Sequence, residues 1–243
     1  MGALDGRTAL VTGGGRGLGA AIAAELAAHG AHVGVLSRTA GEVRRVAASI
    51  GGTALVADVA DRDRLASVLQ RFGEADVVVA NAGVVWPLGR FGDVDPVEWE
   101  AAVAINLFGA VRVVGACLSG MVGRGYGRIV TISSGAANPP GMPSANAYST
   151  SKAALDMFTL SLAREVDGTG VTANAVRPGV VDTDMQTFMR SHPVEKVGPA
   201  FYERFHGLYA RGELIAPQEA AAFVVDVVLS DRNGEVLDIR TSR

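Results

Sequence analysis

Cysteine is almost missing: Cys117 stands alone in 243 residues, which excludes an internal disulfide framework and fits a reducing compartment. It lies in an apolar stretch and reads as a core thiol rather than a nucleophile. An excess of positive charge is lacking too. The chain has 22 Lys and Arg against 25 Asp and Glu, a net charge of −3, so nothing marks a surface for nucleic acid or anionic lipid. No apolar run approaches the ~18 residues needed to span a bilayer. The opening Met1-Gly2-Ala3-Leu4-Asp5-Gly6-Arg7 has no apolar leader core, and Gly6 stands where a myristoylation signal needs Ser or Thr. His29, His32, His192 and His206 show no metal-ligand spacing. The expectation is a cytoplasmic protein with no metal, nucleic-acid or membrane partner.

Apolar residues are plentiful, at 49% against 19% charged, which excludes a disordered chain. Glycine is in excess. Its 31 copies are about one residue in eight against a usual share near 7%, so the backbone must turn tightly or approach a partner closely at several places. Short β-branched runs alternate with helical-period segments from end to end. Strands are expected at Thr8–Thr12, His32–Leu36, Thr53–Val56, Asp76–Ala80, Arg128–Ile132, Thr172–Val176 and Glu235–Ile239. Val43, Val46, Ala47 and Ile50 recur at helical spacing, as do Leu65, Val68, Leu69 and Phe72 after an Asp61 cap. Further helices are expected at Glu98–Met121, Ser149–Val166 and Pro217–Leu229. This alternation predicts an α/β fold: one Rossmann-type domain over residues 1–243, a doubly wound parallel sheet of about seven strands with helices on both faces. Residues 182–212 interrupt it with Phe188, Phe201, Tyr202, Phe205 and Tyr209. Such an insertion after a strand's carboxyl end reads as a substrate lid, or else as a small helical pair covering the sheet.

The first strand runs into Thr12-Gly13-Gly14-Gly15-Arg16-Gly17-Leu18-Gly19 and then a helix. Glycines at 13, 17 and 19 would permit a tight turn, close approach of a pyrophosphate to bare backbone and close helix–strand packing. Between the first strand and first helix of a βαβ unit, this is a strong dinucleotide signature. The second strand ends Leu36-Ser37-Arg38, without the acid that would hold a ribose 2′-hydroxyl. Arg16 and Arg38 suit a 2′-phosphate instead, so NADP(H) is favoured over NAD. Asp58 is placed to accept from an adenine amino group, or is a plain turn Asp.

Tyr148 and Lys152 are four residues apart, one turn on a single helix face. An ammonium about 4 Å from a phenol, at an effective dielectric of about 20, favours the phenolate by roughly 4 kcal/mol, or about three pKa units. The spacing therefore predicts a phenol brought down towards neutrality, fit to exchange a proton with a carbonyl or alcohol oxygen. Ser134, at the carboxyl end of the fifth strand, would hold that oxygen, with neighbouring Ser133 facing the other way.

Thr12-Gly13-xxx-Gly17-x-Gly19, Asn81-Ala82-Gly83, Asn106, Ser134, Tyr148-xxx-Lys152 and Pro178-Gly179-xxx-Thr183 together resemble the short-chain dehydrogenases/reductases in order and spacing, over nearly the whole chain. The resemblance implies a catalytic tetrad of Asn106, Ser134, Tyr148 and Lys152. It implies that Lys152 also bonds the nicotinamide ribose and that Asn106 helps hold a relay water. It places Gly13, Arg16, Gly17, Leu18, Gly19, Arg38, Asp58, Asn81, Pro178, Gly179, Val181 and Thr183 along the cofactor, with Thr183 and the backbone near Val181 on the carboxamide. The run from Pro178 to Gln186 is similar to that of sepiapterin- and benzil-reductase-like members. The chain departs from the family at Ala80, where an Asn is frequent, and at its end, which lacks the usual Asp-Gly-Gly stretch.

The activity expected is hydride transfer between the nicotinamide C4 atom and a small carbonyl or alcohol. A non-catalytic NADP-binding regulator or scaffold would use the same glycine turn but has no need of the Tyr–Lys spacing. Self-association as a dimer or tetramer is left open.

Overall fold

The computed structural model describes residues 2–242. Seven strands form one sheet: β1 (Thr8–Thr12), β2 (His32–Ser37), β3 (Thr53–Val56), β4 (Val77–Ala80), β5 (Gly127–Ile132), β6 (Val171–Arg177) and β7 (Val236–Asp238). All neighbouring pairs are parallel, in the order β3-β2-β1-β4-β5-β6-β7. The central strands read as unbroken apolar runs because both faces of a parallel sheet are covered. Alternate residues show it. Val11, Val35 and Val79 face a core shared with Ile22 and Leu26 of α1 (Gly17–Ala28), Val43 and Val46 of α2 (Ala40–Ser49), and Val224 and Val228 of α10 (Pro217–Leu229). Leu10, Leu36 and Val78 face the other way, against α3 (Arg62–Phe72), α5 (Gly109–Arg124) and α6 (Asn146–Glu165). The order reverses between β1 and β4, and a crevice at the strands' carboxyl ends follows from that topology.

Asp61 caps α3, its Oδ1 accepting from Arg64 N at 3.1 Å. The single helix expected over Glu98–Met121 is three pieces: α4 (Pro96–Val103), a π-helical turn at Ala104–Phe108, and α5. This stretch also corrects the expectation of no apolar segment of spanning length. From Pro96 to Arg124 the helix runs 29 residues, and an 18-residue window within it has a mean hydropathy of 1.9. It is nonetheless an element of the sheet's second face. Val113, Val114 and Met121 are in the core, and Asn106 is buried there with both ends of its amide bonded.

The aromatic insertion is α7 (Asp184–Arg190), α8 (Val194–Val197) and α9 (Pro199–Ala210). Phe201, Phe205, Met189 and Val197 pack on Val85, Leu88 and Ala145, a small separate core over the carboxyl edge of the sheet. Both ends of the insertion are tied. Asp182 N donates to Ile215 O and Ile215 N to Val180 O, each at 2.9 Å.

Candidate active site

A cavity of about 570 Å³ runs along the carboxyl ends of the strands, from the glycine turn to the aromatic insertion. Every residue expected to bind or act lines it except Asn106, which sits in the wall behind.

At one end, Gly13 has φ +64°, and a Cβ on Gly19 would lie 2.2 Å from the Gly13 carbonyl oxygen and 2.5 Å from Asn81 Nδ2. Only glycines let α1 begin this close to β1, so the turn leaves bare backbone at a helix N-terminus, as an anionic pyrophosphate requires. Asn81 holds the turn from β4, donating to the carbonyl oxygens of Thr12 at 2.9 Å and Gly13 at 3.3 Å. Thr12 replies, its Oγ1 accepting from the backbone N of Asn81 and Ala82, each at 3.0 Å. Further along, Ser37 Oγ is buried with no hydrogen-bond partner among the described residues. The bare cradle and this orphaned hydroxyl fit a dinucleotide. Arg38 lies 3.9 Å from Asp58, and Arg16 pairs across the cleft with Asp184 of α7 at 2.8 Å. Glu42, which sequence reasoning missed, reaches the same place, its Oε2 3.3 Å from where a Cβ on Gly15 would be. An acid in the first turn of a helix looks like ordinary dipole compensation, which hid it.

At the other end, Ser134 follows β5 with extended backbone, and its Oγ accepts from Ala136 N at 3.1 Å. Tyr148, in the first turn of α6, is half-buried, and its hydroxyl faces that of Ser134, which opposes the effect of burial on the phenol. Ser133 instead continues the ladder, donating from its N to Val176 O at 2.8 Å, with its hydroxyl unpartnered. Lys152 Nζ lies 5.8 Å from the centre of the Tyr148 ring and donates to Ile132 O at 2.6 Å. It is one of only two lysines in the chain, with Lys196.

Desolvation sets the titration here. Burial lowers Lys152 to about 8, while the Asp156 carboxylate one turn on pulls it back up. Burial pushes the Tyr148 phenol above its ordinary value, with the Ser134 hydrogen bond opposing. The expected acidification of the phenol by the ammonium is thereby corrected. In a low-dielectric wall the cost of a phenolate outweighs a cation already engaged by a carbonyl. Asp156 is itself held by Arg177 Nη2 at 2.6 Å, a buried pair that the sequence did not reveal.

Asn106 lies in the π turn. Its Oδ1 accepts from Val84 N at 2.7 Å, and its Nδ2 donates to Val84 O at 2.9 Å and Ser151 Oγ at 3.0 Å. A Cβ on Gly83 would be 3.4 Å from both Asn106 Oδ1 and Lys152 Nζ, so the two side chains converge behind Gly83. On the far wall, Pro178, Gly179 and Val181 follow β6, and the Thr183 methyl lies 3.2 Å from a Cβ position on Gly17. The chain after β6 thus closes on the glycine turn.

Residues 7–193 match the short chain dehydrogenase family. Versicolorin reductase 1 of Dothistroma septosporum is 40% identical over 193 residues, covering 75% of this chain and 72% of that protein. Actinorhodin polyketide ketoreductase, solved as a variant with NADPH, superposes with a TM-score of 0.85 at 31% identity over 98% of this chain and 97% of the other. Xylitol dehydrogenase bound to NAD+ also superposes at 0.85, with 26% identity over 97% and 98%. A doubly wound sheet, a glycine turn and a serine–tyrosine–lysine cluster on one cleft agree with these matches: the chain belongs to the short-chain dehydrogenase/reductase family, oxidoreductases of carbonyl and alcohol groups.

Proposed function

We propose that the protein is an NADP(H)-dependent carbonyl reductase, and in reverse an alcohol dehydrogenase, for small substrates. The observation that carries this reading is the Ser134–Tyr148 hydroxyl pair, one helical turn from buried Lys152, on the cleft that starts at the glycine turn. When bound, the nicotinamide supplies or accepts hydride at its C4 atom. Gly13, Gly17, Leu18 and Gly19 would hold the pyrophosphate, Arg16 and Arg38 the 2′-phosphate, and Asp58 the adenine amino group. Pro178, Gly179, Val181 and Thr183 would take the carboxamide side, Lys152 the nicotinamide ribose, and Asn81 the adjoining wall.

In reduction, Tyr148 donates its hydroxyl proton to the carbonyl oxygen while Ser134 donates a hydrogen bond to the same atom. Burial keeps the phenol protonated, the form that reduction needs. The reverse direction needs the phenolate, which the positive charge of Lys152 favours. Asn106 and Lys152, which converge behind Gly83, would hold a relay water that returns the proton. Helices α7–α9 form the lid over residues 182–212, excluding bulk water from the reacting atoms.

For NADP(H), support comes from Arg16 and Arg38 on the cleft, from the missing carboxylate at the end of β2, and from the NADPH-bound ketoreductase. Glu42 opposes it, and a modest preference is the result expected. The test is a panel of aldehydes, ketones and diketones followed by loss of NADPH absorbance, with NADH alongside. Faster turnover with NADPH is expected. Equal rates overturn the use made of Arg16 and Arg38, and no turnover with either cofactor overturns the reaction.

A further inference from the structure

Towards the aromatic insertion the cleft is lined mainly by apolar side chains, Val85, Trp86, Met142, Met185, Phe188 and Phe205, with Arg204 of α9 also on it. Gln186 breaks this wall. It is one of two buried residues of α7, 7% exposed, and it lines the cavity. Among the described residues its amide is almost unanswered: Nε2 donates to the Met189 thioether at 3.6 Å, and Oε1 has no partner. A thioether is a weak acceptor, and an amide oxygen buried without a donor is costly to keep. The helix cannot easily carry it into water. Gln186 N donates to Thr183 O at 2.9 Å, and the insertion is clamped at Asp182 and Ile215. The preceding residue, Met185, packs against the same apolar cluster as Tyr148.

The geometry points to Gln186 as a specificity-determining residue, whose Oε1 accepts a hydrogen bond from a hydroxyl carried by the substrate beside its reacting carbonyl. The substrate class is then a hydroxylated carbonyl compound with an otherwise apolar, aromatic-compatible body. A site that holds a buried acceptor discriminates against the analogue lacking the donor, because binding that analogue leaves the acceptor unpaired. No bond to the hydroxyl is made or broken, so the hydride and proton balance of the proposed reaction is unchanged.

This inference rests on the carbonyl-reductase reading, and its test separates the two. Hydroxymethyl phenyl ketone and methyl phenyl ketone share one skeleton and differ in the hydroxyl. The parent is expected to prefer the hydroxylated ketone by about tenfold or more in kcat/KM, as one hydrogen bond to a buried acceptor gives. In Gln186→Leu that ratio falls to near one, mainly through KM. The Kd for NADPH, read by fluorescence, stays within about twofold, and Tm is kept or rises because an unpaired amide has been removed. Gln186→Glu, which keeps an acceptor, retains a preference of the same sign. A parent that reduces both ketones equally, or a Gln186→Leu variant that keeps the ratio, overturns the role of Gln186 alone. An equal loss of NADPH affinity in Gln186→Leu makes it a cofactor residue and also overturns the inference. A lowered Tm with an unchanged ratio makes it a structural one. A parent that reduces neither ketone with either nicotinamide overturns the inference together with the reading beneath it.

Discussion

At the glycine-turn end of the cleft, Arg16 and Arg38 have side chains 59% and 60% exposed and lean on Asp184 and Asp58. At the Tyr148 end, Lys152 is 3% exposed and Asn106 fully buried, each fixed by backbone carbonyls or amides. Exposed pairs are screened and contribute little, while the same charge behind a protein wall is expensive and its protonation shifts. One end therefore selects by charges that are easily exchanged. The other performs chemistry with groups whose positions and proton affinities the fold dictates.

Substitutions at the two ends should differ accordingly. Lys152→Met is expected to lower turnover by about 10²- to 10⁴-fold, read from steady-state reduction. It also carries a stability signature. The Lys152 pKa falls from 10.5 to about 8 on folding, so between those values the unfolded chain holds a proton that the folded one has shed. The Lys152 contribution to stability rises with pH across that window and is opposed above pH 9 by Cys117, whose thiol burial pushes from 9.0 to about 11. Chemical denaturation should therefore show the advantage of the parent over Lys152→Met growing with pH from about 8. Ser134→Ala should cost about 10²-fold in kcat, whereas Ser133→Ala, whose hydroxyl bonds nothing, should leave kcat unchanged. A Ser133→Ala defect as large as that of Ser134→Ala would break the contrast between the two serines. At the exposed end, Arg38→Leu should shift the NADPH-to-NADH preference by about tenfold without altering kcat. Asp184→Asn, which frees Arg16, should tighten NADPH by only about twofold to fivefold in a binding titration.

The same division separates what was legible in the sequence from what was not. Strands β1 and β3 fall at their expected bounds, since an apolar run ended by glycine or a polar turn is a local signal. The glycine turn and the Tyr148–Lys152 spacing are local as well, and both stand on the cleft as expected. The π turn was invisible. Its apolar spacing reads as plain helix across Glu98–Met121, and the distortion coincides with Asn106 bonding Val84 on another segment. The Arg16–Asp184 pair joins residues 168 apart, so no spacing rule reaches it. The direction of the Tyr148 shift was missed for a related reason. A neighbouring ammonium can be read from four-residue spacing, but burial by β5 and the small core of α7–α9 exists only once the chain has folded.

The most direct test is Tyr148→Phe at saturating NADPH, with cofactor binding measured on the same preparation. Carbonyl reduction should fall by at least about 10²-fold while NADPH binds as tightly as to the parent. Reduction at the parental rate would show that the proton comes from elsewhere, and Tyr148 would lose its place as the acid.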